Sequence, residues 1–135
     1  MSAPTVNLSL DGSRRRFAPG ETVSGSIMVT CVEDWIVASA EVMLFWRTEG
    51  RGDQDTGVAA TMVLAPPGAT AGRALQGAFS FILPDMPWTY HGTALKIHWV
   101  VGAYARPRMG KEVSGEQEII LHPRWEEMPD PDPAG

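Results

Sequence analysis

Apolar and polar residues alternate one for one along most of this chain. The longest case covers residues 95–104. Leu95, Ile97, Trp99, Val101 and Ala103 fall on one side, and Lys96, His98, Val100, Gly102 and Tyr104 on the other. A period of two is a strand with one buried face. Val6, Leu8 and Leu10 give the same pattern near the N-terminus, and Val23, Gly25, Ile27, Val29 and Cys31 repeat it. Gly25 inside that run points to a bulge or a close backbone approach. In residues 37–47, Ala38, Ala40, Val42, Leu44 and Trp46 oppose Ser39, Glu41, Met43, Phe45 and Arg47. Shorter runs follow at 58–65, 78–83 and 117–122. No stretch carries the 3.6-residue period of a helix. Seven or eight strands and no helix are expected. Val42, Leu44, Trp46, Phe79, Phe81, Ile97, Trp99 and Val101 share the faces that a core would take.

Between the runs stand residues with turn chemistry. Asp11-Gly12 is a turn signal. In Pro19-Gly20, proline presets φ for one turn position and glycine suits the next. Residues 48–57, TEGRGDQDTG, hold nothing apolar and read as a hairpin tip, and 68–76 as a small-residue loop. Pro84 and Pro87 remove two backbone donors and make a corner before the longest strand. A corner of that kind carries a chain from one sheet of a sandwich to the other.

The length, 135 residues, suits one domain with its own core. Cys31 is the only cysteine, which excludes an internal disulfide and reads as a small core residue. There is no signal-peptide pattern and no apolar run long enough for a membrane span, so a cytoplasmic location is expected. Net charge is −5, with Arg124 against Glu126, Glu127, Asp130 and Asp132 in the last segment. Residues 123–135 therefore read as an acidic, proline-rich disordered tail behind a domain at 1–122. No basic face suits a nucleic acid.

Two ordered segments carry a resemblance. The first is Phe17-x-Pro19-Gly20-Glu21-x-Val23-x-Gly25-x-Ile27-x-Val29. The second runs Phe79-x-Phe81-x-Leu83-Pro84, Pro87-Trp88-Thr89-Tyr90-x-Gly92, Ile97-x-Trp99-x-Val101, and closes with Arg106-Pro107. Together they resemble the arrestin N-terminal-like domain over about residues 5–122. The resemblance implies an immunoglobulin-like antiparallel β-sandwich and an adaptor that binds other proteins and is not an enzyme. Those relatives usually pair two sandwiches, and this sequence holds one. Roles that need an interdomain groove, or the charged phosphate-sensing core of visual-type arrestins, are not carried over.

Residues with catalytic potential form no pattern. His91, His98 and His122 lack metal-ligand spacing, and no serine sits in a nucleophile elbow. Glu49, Asp53 and Asp55 share a loop without the spacing of a calcium site. Arg51-Gly52-Asp53 reads as incidental loop composition, and there is no phosphate-binding glycine loop. No metal or cofactor is expected. The leading expectation is an interaction module that binds a protein partner, or a second copy, by sheet surface or edge. Met43 and Phe45, apolar on the presumed outer face, are one candidate surface. Arg14, Arg15 and Arg16 are another, which with Arg106, Arg108 and Lys111 would suit a peripheral membrane contact. A small-ligand or enzymatic pocket inside the sandwich is the remaining alternative.

Overall fold

The computed structural model describes residues 4–50, 54–65 and 71–128. One strand holds the architecture together. β3 (Thr22–Gly50) is 29 residues long and belongs to two layers. Its first half lies between β1 (Thr5–Leu10) and β5 (Ala71–Ile82), antiparallel to both. Its second half lies between β4 (Thr56–Ala65) and β7 (Leu95–Pro107), again antiparallel. β8 (Val113–Leu121) continues that layer beyond β7, and β2 (Arg16–Phe17) closes it in parallel with β8. β6 (Tyr90–His91) extends β7 at its start. The fold is an all-β sandwich, β1-β3-β5 facing β4-β3-β7-β8-β2. Two separate strands were expected at 23–31 and 37–47. They are one, because the chain changes layer without leaving the sheet: its partner is β5 as far as Ile36 and β7 from Val37, with register breaks at Thr30/Trp35 and Val37/Ser39.

The core fills the space between the layers. Val23, Ile27, Val29, Phe79, Phe81 and Leu83 from one side meet Val42, Leu44, Trp99, Val101 and Ile119 from the other. Trp99 is 0 % exposed, which confirms the register of the longest strand. Trp46 and Ile97 are only half-buried, nearer the sandwich's end. Gly25 is a close approach rather than a bulge. A Cβ there would meet the Ser9 carbonyl oxygen and the Phe79 ring, while the pairing on both sides runs unbroken. The side chain of Cys31, and all of Arg51, Gly52 and Asp53, lie outside the described residues.

The two motif segments are bonded to each other. Pro19-Gly20 forms a turn in which Glu21 N–H donates to the Ala18 carbonyl, with Gly20 at φ 85°. Gly20 N–H donates to the Leu83 carbonyl, and Leu83 N–H to that of Glu21. The corner is pinned next. The Trp99 indole N–H donates to the Pro87 carbonyl at 2.7 Å. Thr89 is bonded twice to Leu121, through its backbone N–H and its hydroxyl oxygen. The Met86–Pro87 peptide is cis.

Several boundaries differ from expectation. Residues 48–50 and 56–57 are strand, and the hairpin is closed by Thr48, whose N–H donates to the Asp55 carbonyl while its hydroxyl accepts from Asp55 N–H. Ladder pairing overrode the glycines and charges there. Residues 71–76, read as loop, pair with β3 for the same reason. The segment from Pro123, expected as a tail, begins with local structure. Arg124 N–H donates to the His122 ring, and Trp125–Glu127 forms a 3₁₀ turn. The rest of that segment, from residue 129, lies outside the described residues.

Candidate interaction surface

The outer face of the β4-β3-β7-β8-β2 layer places Glu49 and His98, two of the polar side chains that the sequence singled out, among other charged residues. Along β3 it presents Glu41, Met43, Phe45, Arg47 and Glu49. Along β7 it presents Lys96, His98, Val100, Gly102 and Tyr104, and along β8 Glu116, Glu118 and Ile120. Phe45 is only 7 % exposed and Met43 is half-buried, so they do not form the open patch expected of them. The reason is lateral packing. Phe45 lies in register with Val100 of β7 and Val58 of β4, and Val100 with Glu118. Phe45, Val100 and Ile120 are buried yet stand apart from the inter-layer core, among long polar neighbours.

Those neighbours bond to one another. His98, 5 % exposed, stands between two carboxylates. Glu49 Oε2 is 2.9 Å from its Nε2, and Glu118 Oε1 is 2.5 Å from its Nδ1, the second too skewed for a hydrogen bond. The His91 ring packs against it at 5.7 Å. The hydrogen bond from His98, then the charges of His98 and Lys96, hold the Glu49 carboxyl below its usual range. On the far side, the Tyr104 hydroxyl donates to Glu116 at 2.7 Å, and Arg47 lies 3.6 Å from the same carboxylate. Burial, and then that carboxylate, push the Tyr104 hydroxyl well above its usual range. Among the described residues, no group of three histidine, cysteine or acidic side chains is arranged to hold a metal ion.

The three arginines at 14–16 are used inside the fold. Arg14 caps the Arg16 carbonyl, pairs with Glu21 at 2.7 Å and stacks over Phe17 at 4.5 Å. Arg15 donates to the Glu118 carbonyl. Arg16 sits half-buried in register with Ile120. Arg106, Arg108 and Lys111 belong to the opposite end of the β7–β8 hairpin. Val113 and Ile120 are seven positions apart on one strand, or roughly 23 Å at a rise of about 3.3 Å per residue. The two basic groups therefore do not make one membrane-binding patch. No helix among the described residues is long and apolar enough to cross a membrane.

Val58 and Val63 of β4 and Met109 are exposed singly, but among the described residues the exposed large apolar side chains gather at the corner, which the sequence marks only as a feature of the fold. Met86 is 75 %, Trp88 47 % and Tyr90 53 % exposed. Ile82 and Leu95, at the flanks of this segment, are exposed as well. Thr89 points inward to Leu121, so Trp88 and Tyr90 on either side of it turn away. Their positions are fixed. The Trp88 indole donates to the Asp85 carbonyl and stacks on His122 at 5.1 Å. The Tyr90 ring covers Gly92. The signal was available: an extended segment with one inward residue must present its alternate neighbours outward.

Layer order and surface together define a non-helical sandwich of arrestin-like fold with a pinned aromatic corner. Among solved structures, the chain is similar to Spo0M, a sporulation control protein from Bacillus subtilis, with a TM-score of 0.71 and 17 % identity. The match covers 90 % of this chain and 50 % of that one, so the chain spans about half the length of its structural neighbour. At that identity the likeness shows the fold. No family model matches the chain, and no curated protein does.

Proposed function

We propose that this protein is a non-enzymatic interaction module, an adaptor of the arrestin-like class, that binds a protein partner through the corner formed by Met86, Trp88 and Tyr90. The observation that carries the reading is that Trp88 and Tyr90 are exposed at that corner while each is also held by a neighbour. Large aromatic side chains held in one rotamer lose little entropy on binding and dominate interface energetics. The structural neighbour, a sporulation control protein, is compatible with a regulatory role. A cytoplasmic location belongs to the same proposal. The pocket alternative draws no support from the interior. Apolar side chains occupy the space between the layers, and the buried polar side chains among the described residues are Thr89 and His98, both with bonded neighbours.

The test is capture of partners from the source cell by the wild type and by a Met86→Ser, Trp88→Ala, Tyr90→Ala variant. The variant is expected to keep the wild-type circular dichroism, because all three side chains are substantially exposed, and to lose the partners that the wild type retains. An unchanged set of captured proteins would overturn the corner as the binding surface.

A further inference from the structure

A sandwich has strand edges, and each edge must be covered, distorted, charged or used. Three of the four edges here are managed. β1 spans only six residues, and Gln117 of β8 reaches over to bond the Leu8 carbonyl. β2 covers only Ile120 and Leu121 of the other layer's end strand, and the rest of that edge, β8 at 113–119, carries the charges of Glu116 and Glu118. β4 carries two register shifts against β3, at Ala40/Glu41 and at Leu44/Phe45, which bend the edge out of plane.

Over residues 74–82, β5 has none of these devices. Residues 74–82 pair with residues 22–30 in nine consecutive steps without a shift. That stretch reads Ala-Leu-Gln-Gly-Ala-Phe-Ser-Phe-Ile, with no charge and no proline. Among the described residues, its other side pairs with no strand. Leu64 of β4 reaches only the inner surface of Gly77. The outward side chains Gln76, Ala78, Ser80 and Ile82 are all exposed and neutral. They adjoin Thr22, Ser24, Ser26 and Met28 of β3, also uncharged.

We propose that β5 pairs antiparallel with β5 of a second copy of this chain, joining the two β1-β3-β5 layers into one six-stranded sheet about a two-fold axis at Ala78. The uncharged edge suits that occupant, since two copies of it meet without like charges. With Ala78 on the axis, Gln76 of one copy faces Ser80 of the other, and Leu75 faces Phe81. Every outward residue meets an outward residue and every inward one an inward one, as a regular strand requires. No like charges oppose each other along the edge, although the whole chain carries a net −5. A two-fold contact of this kind closes on itself, so it gives a dimer and not a fibre. This surface is distinct from the corner assigned to the partner.

The experiment compares sedimentation of the full chain, from low micromolar to near-millimolar concentration, with that of Gln76→Lys/Ser80→Lys. The double variant sets like charges opposite each other across the axis while leaving both side chains in water. The wild type is expected to pass from monomer to dimer, and the variant to stay monomeric with an unchanged melting temperature. Ala78→Cys is expected to form a disulfide-linked dimer on mild oxidation, beyond any formed by the wild type through Cys31. That link is expected to be lost when Gln76→Lys and Ser80→Lys are added. A wild type that stays monomeric throughout overturns the proposal. So does a dimer that survives the two lysines, or one that is lost instead in Val58→Lys/Val63→Lys on β4. The corner variant of the preceding section is expected to dimerise normally, so failure of one surface is read separately from failure of the other.

Discussion

Trp99 shows how one residue joins core to corner. Its ring is fully buried, and its single donor is met by the Pro87 carbonyl. Trp99→Ala is expected to cost about 3–5 kcal/mol in chemical denaturation. Trp99→Phe keeps much of the volume but leaves a carbonyl without its donor, and should cost about 1–3 kcal/mol. Tryptophan fluorescence should then also report a loosened Trp88. Glu21 gives a test in pH. The Arg14 hydrogen bond, then the Ala18 N–H, hold its carboxyl below the ordinary value of 4.5. A folded pKa below the unfolded one stabilises the fold above 4.5, and the gain is lost as pH falls through the lowered value. Glu21→Gln is expected to lower stability at neutral pH by a few tenths to about 1 kcal/mol, since the pair is partly solvated. The difference from wild type should shrink as the acid limb is descended. At this scale the sequence was half legible. Alternation placed Trp99, Val42 and Leu44 correctly because they face the opposite layer. It misplaced Phe45 because parity assigns a side chain to a face and is silent about what its neighbours cover there.

At the scale of elements, β3 is the lesson. Val23 to Val29 point inward at odd positions, whereas Ala40, Val42 and Leu44 point inward at even ones. One regular strand cannot do both. That parity change was readable in the sequence and lies across two register breaks, Thr30/Trp35 and Val37/Ser39, between which the strand's partner changes from β5 to β7. What could not be read was that the strand continues through it, because continuity depends on partners far away in the chain. The glycine-rich ends of the 48–57 segment were missed for the same reason. Gly25 fixes how closely β1 and β5 flank β3. Gly25→Ala is expected to destabilise by about 1–3 kcal/mol, as overpacking does. Its new Cβ would lie against the Ser9 carbonyl oxygen and 2.9 Å from the Phe79 ring. A Gly25→Ala protein with wild-type melting would show that the layers are looser than described.

For the whole molecule, the polar residues that sequence reading could treat as chemistry are largely bound to one another. Glu49, His98 and Glu118 form one group, Tyr104, Glu116 and Arg47 a second, and Arg14 with Glu21 a third. They hold strands in place across the outer layer. Among the described residues, the main cluster of exposed apolar side chains lies at the corner. A proline-rich corner, an indole and a threonine tie that segment to the core. The account therefore depends on Trp88 and Tyr90 meeting another protein. The most direct measurement places a photo-cross-linking amino acid at position 90 in the living source cell, with the same residue at position 63 on β4 as control. Adducts to a small, reproducible set of proteins from position 90, absent from position 63 and suppressed by Trp88→Ala, are the expected result. No adduct from position 90, or the same adducts from both positions, would contradict the account.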